Sequence, residues 1–339
     1  WILQHSGHQP DYLMGGLCRH FELPARMRGA RWAVLEGDEY PAGKDDRCAK
    51  FHYYQPHGLI ITNVRLDHAD IYPSFASVRA EFERLCAGMP KNGFLLLNAG
   101  CRHARGLSRH CPAAAATVGW HAAADHRITA LRVGTTGTRF ALHGQPFDLR
   151  GSGRVLALDA ALAALAAQRA GVSLAEAAAA LAEFAGGQGR MQSLLSLPGI
   201  EFIWDEAYHP LALKENLAAV RKRHPGRRLL VLLQPRHTGG LRGWQSKCLP
   251  RALAAADIVL LTRAFDVAAF AGAPFSNQQL AADLRRLGVR ATLRPKDASI
   301  EVFCLRHARR GDVIYCGLAA GTGFIIKPIL KELRERFSA

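Results

Sequence analysis

Two short apolar runs end in residues able to hold a metal ion. Ala33-Val34-Leu35 is followed by Glu36, Asp38 and Glu39, and Leu59-Ile60-Ile61-Thr62-Asn63-Val64 by Asp67, His68 and Asp70. Hard carboxylate oxygens with one imidazole suit Mg²⁺, with Mn²⁺ as a substitute, better than a thiolate-seeking metal. The simpler alternative is two sets of solvated loop acids. Aliphatic and β-branched runs ended by Gly or Asn read as buried parallel strands. Ligands gather beyond the carboxyl ends of such strands, so the six residues are expected to crowd one edge of a sheet.

Periodicity gives the elements that would position them. Residues 73–88 read as a helix, with Phe75, Val78, Phe82 and Leu85 at three- and four-residue spacing. Residues 94–98 read as a third strand, and the alanines of 113–116 as helix or loop filler. Residues 128–149 alternate around Gly134, Gly137 and Gly144, as a small antiparallel patch would. Ala/Leu helices follow at 155–170 and 174–184, then a hinge, Ala185-Gly186-Gly187-Gln188-Gly189. Beyond it, strands at 200–204, 229–233, 258–261 and 313–315 alternate with helices at 211–223, 249–256, 277–287 and 324–337. That alternation is the mark of a doubly wound sheet. The expected fold class is α/β, with a parallel-sheet domain over 1–187 and a smaller Rossmann-like domain over 188–339.

The 339 residues are 49% apolar, enough for two cores, and carry a formal charge of +16. The basic residues fall in dispersed groups, such as Arg221-Lys222-Arg223, Arg227-Arg228 and Arg309-Arg310, with no aromatic-interleaved stripe. Solvated helix faces and a polyanionic nucleotide substrate explain them better than nucleic acid, which is not an expected partner. No apolar stretch is long enough to cross a bilayer, and no membrane partner is expected. The eight scattered cysteines form no C-x-x-C pair, which points to a reducing cytoplasm. The chain opens at Trp1 inside a helix-like run without Met, which reads as a truncated start.

One register joins Gly15-Gly16, Glu36-Gly37-Asp38-Glu39-Tyr40, Asp46, Lys50-Phe51, Tyr54, Pro56, Asn63 and Asp67-His68-Ala69-Asp70, continuing to Pro90. It resembles the Mur ligase family, ATP-dependent enzymes that join amino acids or peptides to a cell-wall nucleotide sugar. It is most similar to members that use UDP-N-acetylmuramate and the recycled murein tripeptide L-Ala-γ-D-Glu-meso-diaminopimelate. The resemblance implies a central ATPase-type domain and a cytoplasmic ligase of peptidoglycan recycling, forming an amide through an acyl phosphate. It implies Glu36 and His68 as metal ligands, with Asp70 supporting the imidazole. Asn63, Asn98 and Arg190 are implied on the nucleotide side, although Asn63 could simply cap its strand and Lys50 simply pair with Asp46. Trp204-Asp205-Glu206-Ala207-Tyr208-His209-Pro210 resembles the family's D-D-x-A-H-H-P, implying that Asp205 and His209 face the nucleotide and the incoming amine. Gln234-Pro235-Arg236 resembles the segment whose arginine, here Arg236, helps close the domain on its ligands.

Several family features are replaced. No G-x-x-x-x-G-K-[ST] loop occurs, so the central domain is expected to lack its phosphate-cradling P-loop. Asn98-Ala99-Gly100-Cys101 stands where the family has N-A-D-D, and Gly153-Arg154 where a His-Asn pair contacts adenine. Arg190 alone remains of two consecutive arginines, and Ala319-Ala320-Gly321-Thr322-Gly323 replaces a Gly-rich turn. The expectation is a truncated, diverged ligase. The alternative is a non-catalytic scaffold of the same fold that binds a nucleotide sugar, a peptide or a protein partner.

Overall fold

The computed structural model describes residues 1–67, 71–235, 244–262, 276–295, 298–318 and 323–338, without the side chains of 244–246 and 323. Contacts divide the chain into two compact units, one of residues 1–67 and 71–186, the other from residue 187 onward.

In the first unit a short helix α1 (Ile2–His5) precedes three strands, β1 (Asp11–Leu13), β2 (Ala25–Arg26) and β3 (Ala33–Leu35). They form a small sheet of order β2-β1-β3 in which β1 and β3 are parallel. A second sheet holds β4 (Gly58–Ile61), β5 (Phe94–Asn98), β6 (Ala114–Gly119), β7 (His126–Val133), β8 (Thr138–Leu142) and β9 (Gln145–Leu149) in sequential order. Strands β4 to β7 run parallel, and β7 to β9 form antiparallel hairpins. Helices α2 (Phe75–Ala87), α3 (Arg102–Gly106), α4 (Arg154–Gln168) and α5 (Leu174–Glu183) complete the unit.

Alternation along β5 decides which layer covers which face. Leu96 joins the cluster built on the buried alanines and leucines of α4 and α5, with Phe140 and Phe147. Leu95 and Leu97 face the cluster with Val78 and Cys86 of α2. Each fully buried leucine contributes on the order of 2 kcal/mol. Reciprocal capping boxes, Ser74 with Ser77 and Ser173 with Glu176, open α2 and α5.

Two expectations change. Strand β3 is not a buried neighbour of β4 in one parallel sheet; it lies at the edge of the small sheet, and Val34 is 55% exposed. The alanines at 114–116 are neither helix nor loop: they pair with Phe94, Leu95 and Leu96 in parallel register. Small side chains fit a strand overlaid by a close-packed Ala-rich helix, and that packing overrides alanine's helix preference.

The second unit has β10 (Gln192–Leu197), β11 (Ile200–Trp204), β12 (Leu229–Leu233), β13 (Ile258–Leu261), β14 (Arg290–Leu293) and β15 (Asp312–Gly317). Their order is β10-β11-β15-β12-β13-β14, with β10 antiparallel and the rest parallel. Helices α6 (Pro210–Arg223), α7 (Trp244–Leu253) and α8 (Asn277–Arg286) supply one face, where Leu213, Leu217, Leu253 and Leu284 meet Val231, Val259 and Tyr315. Helices α9 (Ile300–His307) and α10 (Gly323–Phe337) cover the other, with Phe303, Ile329 and Leu333 against Phe202, Leu230 and Ile314. This is the doubly wound arrangement expected, with β10, β14 and α9 added. Among the described residues no helix is long and apolar enough to cross a membrane. All eight cysteines are free.

Candidate active site

In the first unit Glu36 directly follows β3. Its N–H donates to the Leu13 carbonyl at 2.9 Å, and one carboxylate oxygen, Oε2, accepts the Gly15 N–H at 2.6 Å. A Cβ on Gly15 would lie 2.6 Å from the other oxygen, Oε1, so the close approach depends on glycine there. The carboxylate stays exposed. It is oriented by the backbone yet open to a ligand.

The neighbouring acids are more committed. Asp38 takes the Lys50 ammonium at 2.8 Å and the Tyr40 N–H at 2.9 Å. That hydrogen bond to Asp38 holds the lysine pKa above its ordinary value. Lys50 therefore does not pair with Asp46, which accepts instead from the Tyr53 hydroxyl at 2.6 Å and the Cys48 N–H at 2.9 Å. His68 and Asp70 lie outside the described residues. Among those described, no three His, Cys, Asp or Glu side chains converge as a metal centre.

At the carboxyl end of the larger sheet, Asn98 binds strand ends together. Its Nδ2 donates to the Thr62 carbonyl at 2.8 Å and its Oδ1 accepts the Gly100 N–H at 2.7 Å. Asn98 thereby shapes the rim, with its carbonyl oxygen and one N–H already used. Asn63 is exposed, and its Nδ2 makes one long contact, 3.4 Å, to Thr62 Oγ1. Where β6 ends, Arg154 lies over the Trp120 ring at 4.2 Å.

In the second unit Asp205 ends β11 and turns inward, 2% exposed. Oδ2 accepts the Met191 N–H at 2.8 Å and the Asn216 amide at 3.0 Å, and Oδ1 accepts the Ala207 N–H at 2.6 Å. Burial pushes the Asp205 pKa up, while those backbone N–H groups and the charge of Arg190 pull it back. Glu206 N–H also donates to the Gly189 carbonyl, so the segment around Arg190 is tied at two points to the end of β11. Gly189 (φ +66°) and Met191 (φ +49°) flank Arg190 in left-handed conformations. Arg190 itself is exposed, and its guanidinium makes no hydrogen bond among the described residues. His209 is the N-cap of α6, accepting the Leu211 N–H through Nδ1 at 3.2 Å, with Pro210 opening the helix. Arg236 lies outside the described residues.

Sequence reading missed Gly15, Thr62 and Asn216 as partners of these groups. For Gly15 a signal existed, the glycine pair at the start of the family-like register. Nothing in sequence spacing marks Asn216 as a partner of Asp205.

The Mur ligase middle domain profile matches residues 19–167. Over those residues the chain resembles the Mur ligase family. It is 28% identical over 268 aligned positions to the UDP-N-acetylmuramate–L-alanyl-γ-D-glutamyl-meso-2,6-diaminoheptandioate ligase of Haemophilus influenzae, covering 77% of this chain and 58% of that protein. It is also 28% identical over 344 aligned positions to the UDP-N-acetylmuramate–L-alanine ligase of Acidothermus cellulolyticus, covering 99% of this chain and 70% of that protein. The chain thus spans little more than half the length of the first relative. A crystal structure of the UDP-N-acetylmuramate-alanine ligase of Thermotoga maritima has the same fold, with a TM-score of 0.76 at 21% identity over 99% of this chain and 71% of that one.

Proposed function

We propose that the chain serves an ATP-dependent ligase that joins the tripeptide L-Ala-γ-D-Glu-meso-diaminopimelate to UDP-N-acetylmuramate, in the cytoplasm, during peptidoglycan recycling. The muramate carboxylate would attack the γ-phosphorus of ATP, releasing ADP and leaving an acyl phosphate. The amine of the tripeptide's alanine would then displace phosphate to form the amide.

The observation that carries this reading is the Glu36 carboxylate, pinned by the Gly15 N–H and exposed. Mg²⁺ keeps several waters and is commonly bound by one or two carboxylates plus substrate phosphates. One oriented carboxylate fits that habit; the His68 imidazole would be its partner, and Mn²⁺ would substitute. The bound cation would neutralise charge on the phosphoryl oxygens. Asn98 would hold the rim in shape and Asn63 face the nucleotide. Arg190 would offer its guanidinium to phosphoryl oxygens, with Asp205 fixing the backbone on which it is carried. His209, at the start of α6, would meet the incoming amine, and Arg236 would help close the site.

The choice of tripeptide follows the sequence likeness to the Haemophilus influenzae enzyme and a 33% identity over 96 positions to the Escherichia coli protein of the same name, 28% of this chain and 21% of that protein. Purified protein given ATP, Mg²⁺ and UDP-N-acetylmuramate, with either tripeptide or L-alanine, should form the tripeptide conjugate by mass spectrometry, with one ADP per product. Product from L-alanine alone would overturn the acceptor. Ligand binding without ADP or product would favour the non-catalytic scaffold.

A further inference from the structure

Two arginine pairs far apart in sequence, Arg227-Arg228 and Arg309-Arg310, meet at the rim of the second sheet where its parallel strands begin. Strands β12 and β15 are neighbours in register, Leu229 beside Val313, so the turns that precede them adjoin. Both turns bend through left-handed glycines, Gly226 (φ +74°) and Gly311 (φ +92°). Between them lies a cleft of about 400 Å³ lined by the four arginines, Asp312 and these two glycines.

Two of these arginines, Arg227 and Arg309, are not paired with a carboxylate among the described residues. Asp312, its only acid among the described residues, is 1% exposed and already clasped by Arg228, Nε to Oδ1 at 2.8 Å and Nη2 to Oδ2 at 2.6 Å. The Arg309 N–H adds a third bond to Oδ2 at 2.8 Å. Arg227 is held by carbonyls instead, donating to Gly311 at 2.8 Å and Asp312 at 2.6 Å, so its orientation is fixed while its charge has no carboxylate partner among the described residues. The Arg309 guanidinium is exposed and makes no hydrogen bond among the described residues. Across the chain, residues 188–339 hold 24 Lys and Arg against 12 Asp and Glu, whereas residues 1–187 hold 20 against 16. The positive surplus is thus concentrated in the unit that contains the cleft.

We propose that this cleft binds a small oligophosphate anion, two or more linked phosphoryl groups. Guanidinium forks match phosphoryl oxygens bidentately, and pre-oriented ones lose less entropy on binding. Among the described residues no aromatic side chain lines the cleft to stack a base, which favours a compact anion over a nucleic-acid strand. The cleft lies at the opposite end of the strands from Asp205, so its ligand is separate from the reactants of the proposed ligation.

Inorganic pyrophosphate is the probe, titrated into the full chain calorimetrically at physiological ionic strength. One site should bind, weakened at least about tenfold in the double variant Arg309→Gln/Arg310→Gln. Lys247→Gln/Arg286→Gln, in a second basic cleft between α7 and α8, should bind as the parent does. Glu36→Gln should likewise leave this affinity unchanged, which separates the cleft from any nucleotide site. No saturable binding, equal binding by the double variant, or equal displacement by sulfate would overturn the proposal. Tighter, salt-steep retention of duplex DNA by the same arginines would overturn it in favour of a nucleic-acid contact.

Discussion

What a carboxylate can do depends on how many of its lone pairs the fold has already used. Asp11 accepts three backbone N–H groups, from Arg28, Gly29 and Ala30. Asp205 accepts two and a side-chain amide, whereas Glu36 accepts one and stays exposed. The first two hold structure and the third is available to a ligand. Asp205→Ala would leave buried N–H groups unpaired and should lower stability by about 2–4 kcal/mol in urea unfolding. The hydrogen bond from Arg28 leads in lowering the Asp11 pKa, opposed by burial and joined by Ala30 and Gly29. A lowered carboxyl pKa gives stability that is present above the unfolded value and lost as pH falls through the folded one. Unfolding of Asp11→Asn, followed from neutral to acid pH, should therefore show a shallower acid loss than the parent. Burial raises the Asp205 pKa, so its linkage runs the other way, with stability declining as pH rises through the folded value. The sequence supplied the types of these residues and their places at strand ends. It could not say that Asp205 turns inward, because its partners Met191 and Asn216 are brought to it only by the second unit's tertiary packing.

At the scale of elements, long periodic segments were legible and short ones were not. Helices α4, α5 and α6 and strands β11, β12 and β13 fall close to their expected spans, because repeated apolar positions outvote local ambiguity. Three apolar residues in β3 carry no information about which sheet they join, and the small sheet took them. In β6 the decisive fact is a neighbour: Gly119 sits where a Cβ would come 2.8 Å from the Ala99 Cβ. Gly119→Ala should therefore destabilise by about 1–3 kcal/mol, read from the urea midpoint. Ser173→Ala should cost about 1 kcal/mol by removing one arm of the α5 capping box, read the same way.

At the scale of the whole molecule, each unit carries its own buried clusters, the first around α4 and α5 and the second on both faces of a doubly wound sheet. Residues 188–339 expressed alone should unfold cooperatively with heat; a broad, non-cooperative melt would mean that this unit borrows its stability. The charge asymmetry between the units was present in the composition but unreadable as a site, since only the parallel register of β12 and β15 unites the two arginine pairs. The most direct test of the account concerns the metal anchor. Mn²⁺ binding in the presence of ATP, followed by electron paramagnetic resonance, should weaken at least about tenfold in Glu36→Gln and in His68→Ala, with the folded state of each confirmed by circular dichroism. Undiminished Mn²⁺ affinity in both folded variants would contradict it.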